Sequence, residues 1–280
     1  MRWADLDVLG HVNNVTYLNY LREARIDFFA GLGRTVDVDD LAESLRVTRN
    51  QVLFAAPLLL RPEPIAVEMW VSDIDDESFA LNYEVFDDTA QGRVVYLRAR
   101  AEVHPWVVAT DEARPLRAGE QRLLGQFVEE SLEFSPMDHA SAVATLPARY
   151  DLAVRLSDLD IYRRVSDVIY FEYFQEARVA YLLELASRGA DAQQLVIART
   201  DIVYHHPVTL RREPYLVRSG VARVGTSSFA VTAEIVDDGT VLATADVVLV
   251  GFDAQQQVAA PMTADQRAVL LAEYELTRPR

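Results

Sequence analysis

The feature that most constrains this chain is an internal repeat, which fixes the unit to be explained before any element is assigned. RWADLDVLGHVNNVTYLNYLREARIDFF, residues 2–29, aligns without a gap on RLSDLDIYRRVSDVIYFEYFQEARVAYL, residues 155–182. Asp7 falls on Asp160, Tyr17 on Tyr170, Tyr20 on Tyr173, and the Ala24-Arg25 pair on Ala177-Arg178. Downstream, SFALNYEVFDD (78–88) matches SFAVTAEIVDD (228–238), Pro57 matches Pro207, and PLRAGEQRLL (115–124) echoes PMTADQRAVL (261–270). The chain of 280 residues is therefore two diverged copies of one unit. The expected division is a first unit with a trailing helix over 1–134, a linker over 135–147, and a second unit with its own trailing helix over 148–280.

Each copy opens on a polar turn followed by a helix. In the first, Tyr17, Tyr20, Leu21, Ala24 and Phe28 recur at the spacing of one buried helical face. Asn13 suits the N-cap, where its side-chain oxygen can accept from an orphan amide, with Ser166 as its counterpart; Gly31 and Gly33 suit the C-terminus. A polar interval over 34–46 carries Asp37, Asp39 and Asp40. Strands are expected over 47–57, 64–73, from Phe79 to Val85 and over 94–103, with short turns between them that only an antiparallel sheet permits. An amphipathic helix is expected over 115–133. The second unit repeats the plan, with a helix over 167–186, strands near 195–206, 214–223, 228–237 and 240–250, and a closing helix over 263–275. DDGT at 237–240 is a tight hairpin signal. Fold class is thus α+β, each unit a long helix laid on an antiparallel sheet. ARYDLAVRL (148–156) leads into the second copy, whereas only Met1 to Trp3 stand there in the first, so the natural start is expected upstream of Met1.

Composition removes several chemistries. With no cysteine there are no disulfides, thiolate metal sites or cysteine nucleophiles. Every basic residue is an arginine, which removes Schiff-base chemistry and a P-loop lysine. A net charge of −16 argues against nucleic acid or an anionic membrane as partner. No apolar run is long enough to span a bilayer and no signal peptide opens the chain, so a cytoplasmic location is expected. His205 and His206 are adjacent and lack ligand-like spacing, so no metal or other cofactor is expected.

With Asp-x-Asp-x-x-Gly-His-Val-Asn-Asn and the later Tyr-x-x-Tyr and Ala-Arg in place, the sequence resembles the hot-dog fold thioesterases. The branch is that of 4-hydroxybenzoyl-CoA thioesterase, bacterial acyl-CoA thioesterases and plant acyl-ACP thioesterases. The resemblance implies two tandem hot-dog units paired within one chain, an acyl-CoA or acyl-ACP substrate, and further association of chains into a homo-oligomer. It implies that Asp7 is the nucleophile or the base toward water, and that the Asn14 backbone N–H polarises the thioester carbonyl. Gly10 would let the loop approach the substrate, while His11 and Asn13 would help to place the acid, water or carbonyl. Tyr17 is read chiefly as a core aromatic that could line the acyl pocket.

The second copy departs from the motif. Arg163, Arg164, Ser166 and Asp167 replace Gly10, His11, Asn13 and Asn14, leaving Asp160 as the remnant of a degenerate site. Pairing of Asp160 with Arg163 and Arg164 would hold it as a spectator. Those two arginines could instead hold CoA phosphates. Asp5, which recurs as Asp158, reads as a turn or cap residue, and Arg25 and Arg178 are expected to pair with acids or carbonyls in the fold. The leading expectation is an acyl-CoA hydrolase active in fatty acid metabolism. Alternatives are an acyl-ACP thioesterase, a hydratase or dehydratase on acyl thioesters, and a non-catalytic acyl-thioester-binding protein.

Overall fold

The computed structural model describes residues 1–35, 45–107, 110–137, 143–189, 195–253, 256 and 258–278; the acids at 37–40 lie outside them. The described residues fall into two compact units, Met1–Phe134 and Ser135–Arg280. In the first, helix α1 (Asn14–Thr35) is followed by strands β1 (Leu45–Phe54), β2 (Ala66–Ser72), β3 (Phe79–Thr89), β4 (Gly92–Val107) and the short β5 (Glu112–Ala113). The sheet runs β2-β3-β4-β1, antiparallel throughout, with β5 on the end of β4. Helix α1 lays its buried stripe on this sheet, with Tyr17 edge-on to Phe54 and Phe29 edge-on to Phe79.

That stripe is Val15, Tyr17, Leu18, Leu21, Phe29 and Leu32, turned slightly from the expected face, and Tyr20, Ala24 and Phe28 sit at its half-buried margin. The helix also runs on past Gly31 and Gly33 to Thr35, so those glycines do not end it. The expected helix over 115–133 is only α2 (Ala118–Leu124) with a 3-10 turn through Phe127. The chain turns extended at Val128, where the strap that follows begins.

The strap is the chief surprise of this unit. From Val128 the chain crosses the sheet face away from α1. Val128 bridges Val71 in parallel, the Glu129 amide donates to the Val71 carbonyl at 3.0 Å, Trp70 Nε1 donates to the Glu130 carbonyl at 2.8 Å, and the Leu132 amide donates to Asn82 Oδ1 at 3.0 Å. Period-two alternation marks Asn82 as an outward residue, yet it is fully buried because this segment covers it. Asp73 holds the strap by accepting from Ser131, Ser72 and Arg100, contacts that keep its carboxyl below the usual range.

The second unit repeats the plan with more burial. Strand β6 (Ala148–Leu152) precedes helix α3 (Ile169–Ser187), then β7 (Leu195–Tyr204), β8 (Tyr215–Val224), β9 (Ser228–Asp237), β10 (Thr240–Asp253), β11 (Val258–Ala259) and helix α4 (Ala264–Thr277). The sheet order is β7-β10-β9-β8-β6, again antiparallel. Asp238 and Gly239 both take positive φ between β9 and β10, as a two-residue hairpin with the right twist requires. Tyr181, Leu182 and Leu185 of α3 pack with Val221, Phe229, Val231, Val247 and Leu249 of the sheet and with Met262 and Leu270 at α4.

The two trailing segments close on their central helices by different chemistry at matching positions. In the first unit Phe28 stacks edge-on against Phe127, with ring centroids 5.0 Å apart. In the second, the Tyr181 hydroxyl donates to Glu273 Oε2 at 2.8 Å, and Arg188 pairs with the same carboxylate. Glu273 is buried, so these partners replace its lost hydration. Glu273→Ala would leave the buried Tyr181 hydroxyl without its acceptor. It is expected to lower unfolding free energy by about 1–3 kcal/mol, read by chemical denaturation.

Candidate functional site

The site is built from a closed loop that joins the start of the chain to α1. Leu6 bridges Val12 and His11 bridges Leu59, both antiparallel, and the Val12 amide donates to the Leu58 carbonyl at 2.8 Å. Within the loop the Asp7 amide donates to the His11 carbonyl at 2.8 Å and the Gly10 amide to the Asp7 carbonyl at 3.1 Å. Gly10 takes φ +76°, the left-handed conformation that a residue without Cβ adopts at no steric cost.

This geometry sets the Asp7 carboxylate. Its Oδ1 accepts from the Leu9 amide at 2.8 Å and the His11 amide at 3.1 Å, which fixes its plane. Among the described residues Oδ2 takes no hydrogen bond, so one oxygen is tied down and the other is available. His11 itself is buried, and its backbone holds the acid.

The helix start is equally ordered. The Asn13 amide donates to the Asp5 carbonyl at 2.8 Å, the Val15 amide to Asn13 Oδ1 at 3.0 Å, and the Thr16 amide to the Asn13 carbonyl at 2.9 Å. Asn13 is therefore the N-cap, its side-chain oxygen spent on the helix. Of the amides from 13 to 16, only that of Asn14 takes no acceptor among the described residues. It is a donor at the positive end of a helix dipole.

Asp5 does not share this chemistry. Its Oδ2 accepts from the Arg2 amide at 2.5 Å and from the Tyr20 hydroxyl at 2.6 Å. Burial and this acid push the Tyr20 hydroxyl well above the ordinary phenol range. Reading Tyr20 as a core ring missed this tie, although the recurrence of both Asp and Tyr in the two copies signalled it. Tyr17 is buried, and its hydroxyl is hydrogen-bonded by the Leu58 backbone. Its pKa is raised first by burial, then by Tyr20, Tyr96 and Asp7 nearby, so the phenol stays protonated.

The second loop keeps the frame and differs in the residues around it. Asp160 Oδ1 accepts from the Tyr162 amide at 2.8 Å and the Arg164 amide at 3.0 Å, the same contacts that hold Asp7. Backbone amides of the loop, then, position Asp160, where side-chain pairing with Arg163 and Arg164 was expected. Asp158 Oδ2 accepts from the Arg155 amide and the Tyr173 hydroxyl, each at 2.7 Å, as Asp5 does in its own unit. The helix, however, begins at Ile169 with Val168 as a cap that offers no side-chain bond, so Ser166 does not act as N-cap. His205 and His206 lie beyond the end of β7, where both amides donate to the Leu242 carbonyl at 2.9 Å. Arg178 departs from expectation as well, because no acid or carbonyl partner reaches it among the described residues.

Arg163 stands where Gly10 does and takes φ +64°. A left-handed residue with a Cβ costs about 1–2 kcal/mol, partly offset because glycine loses more entropy on folding. Arg163→Gly is therefore expected to raise the stability of the chain by about 0.5–1 kcal/mol, measured as a shift in denaturation midpoint at unchanged slope.

No curated protein matches the chain in sequence. Among solved structures it is similar to a 12:0-ACP thioesterase from Umbellularia californica, at 15% identity over 90% of this chain and 95% of that one, with a TM-score of 0.68. It is also similar to an acyl-ACP thioesterase from Bacteroides thetaiotaomicron, at 16% identity over 88% of this chain and 93% of that one, with a TM-score of 0.61. Both likenesses bear on the fold, and they agree with two tandem hot-dog units in an α+β chain. Among the described residues no helix is long and apolar enough to cross a membrane. The sequence profile of the thioesterase-like superfamily matches residues 1–137 and 154–270, and the chain belongs to that superfamily.

Proposed function

We propose that this chain hydrolyses acyl-CoA thioesters to the free acid and CoA, using the first loop. The observation that carries the reading is the pairing of an anchored carboxylate with an available oxygen and an unengaged helix-start amide on one closed loop. Asp7 Oδ2 takes a proton from water as the water oxygen adds to the thioester carbonyl. Negative charge gathers on the carbonyl oxygen and is received by the Asn14 N–H. Collapse breaks the C–S bond, and the departing thiolate recovers the proton from Asp7. Direct attack by Asp7 is the covalent variant of the same assignment, passing through a mixed anhydride that water then opens. Gly10 keeps the loop open toward the substrate, Tyr17 lines the buried side of the helix, and His11 and Asn13 act by fixing the acid and the helix start. Metal and cofactor have no part in this scheme. In the second unit Asp160 is held in the same way but stands beside Arg163 and Arg164 and lacks the Asn-Asn pair, which supports a degenerate site there.

A second reading takes acyl-ACP as substrate and rests on the substrates named for the two structural relatives. The carrier is decided by comparing one acyl chain on CoA and on a carrier protein under the same conditions.

Asp7→Asn retains the Oδ1 acceptor for the Leu9 and His11 amides and removes the base. It is expected to reduce thiol release by about 10²–10⁴-fold with little change in melting temperature. Asp160→Asn is expected to leave the rate within about twofold. Wild-type turnover by the Asp7 variant would end the assignment, as would release of no thiol by the wild type alongside hydration of enoyl-CoA.

A further inference from the structure

Among the described residues, the charged groups in the interior are matched, with one exception. Glu120 accepts two hydrogen bonds from Arg114, at 2.8 and 2.6 Å. Asp158 has Tyr173 and the Arg155 amide, Glu273 has Tyr181 and Arg188, Glu84 has Arg98 and Arg93, and Asp246 accepts from Thr232 at 2.5 Å. Arg178 is the exception. It lies in the middle of α3, its exposure is 7%, and among the described residues neither a carboxylate nor any hydrogen-bond acceptor reaches its guanidinium. Its nitrogens are not fully sealed, since they keep a trace of accessible surface. Its repeat counterpart, Arg25, is only half-buried and is engaged.

Burial alone, with no neighbouring charge acting, draws the Arg178 pKa down to about 10. The group is therefore still a cation at neutral pH, and a desolvated cation without an anion is costly to keep. One turn to either side on the same helical face stand Phe174, Tyr181 and Leu182, all buried.

We propose that Arg178 is the anchor of a ligand site for a carboxylate that carries an apolar chain. The planar guanidinium fork matches a carboxylate through two parallel hydrogen bonds, and the aromatic and aliphatic side chains beside it suit an alkyl body. The free acid released on hydrolysis has this chemistry. Assignment to that acid rests on the proposed hydrolysis; carboxylate binding itself does not.

The test uses the full chain with decanoate and decanol as probes, read by calorimetry and by thermal shift. Wild type is expected to bind decanoate at least about tenfold more tightly than decanol. Arg178→Met is expected to bring decanoate down to the decanol level, and Arg178→Lys to fall between. Equal binding of the two probes by wild type, or undiminished decanoate binding by Arg178→Met, overturns the proposal. Should the Met variant fail to fold, Arg178→Lys and the wild-type comparison still decide it. Decanoate binding should survive in Asp7→Asn, so that loss of turnover and loss of this site are read separately. Inhibition of decanoyl-CoA hydrolysis by decanoate, relieved in Arg178→Met, identifies the released acid as the ligand.

Discussion

Much of this structure depends on one short hydrogen bond, from the Tyr20 hydroxyl to the Asp5 carboxylate. Tyr20 belongs to α1 and Asp5 to the turn before it, so the bond fastens the helix to the segment that leads into the Asp7 loop. The Asp5 carbonyl then takes the Asn13 amide, which sets the first turn of the helix and with it the direction of the Asn14 N–H. The second copy keeps every part of this fastening in Asp158, Tyr173 and the Ser166 amide. An arrangement preserved in both copies, although the residues around it differ, belongs to the frame of the unit.

The comparison of the two loops separates frame from function within a single chain. Asp7 and Asp160 accept the same pair of backbone amides, and Gly10 and Arg163 share a left-handed backbone. What differs lies at the helix start. The first helix begins at Asn14, directly after a capping side chain, while the second begins two positions later in the repeat, at Ile169, without one. The unengaged amide of Asn14 is thus a property of the cap as much as of the helix.

The repeat, the antiparallel strands, the DDGT hairpin and the role of Asn13 were legible in the sequence, because each rests on local chemistry or on a period that survives in one dimension. Gly31 and Gly33 favour a stop, yet α1 runs on to Thr35, with Phe29 packed on Phe79 of the sheet and Leu32 buried. The strap over β2 and β3 left no periodic trace: it is an extended segment held by Trp70, Ser72, Asn82 and Asp73, all of which read as ordinary outward strand or turn residues. Of the candidate site, the polar loop around Asp7 stands out in the sequence, but the unequal hydrogen bonding of the two Asp7 oxygens does not. Likewise nothing local distinguishes Arg178 from Arg25; only burial does.

The unlike contacts at Phe28–Phe127 and Tyr181–Glu273 bear on how a duplicated chain assembles. Two homologous halves emerging from one ribosome are prone to exchange parts, and a trailing segment docked on the wrong central helix is the natural error. Here such an exchange would press the Glu273 carboxylate against the Phe28 ring with no donor to receive it, while the Tyr181 hydroxyl faced the Phe127 ring. Divergence at one pair of positions gives each half a key that fits its own lock, so fidelity of assembly is encoded in the same contact that closes each core.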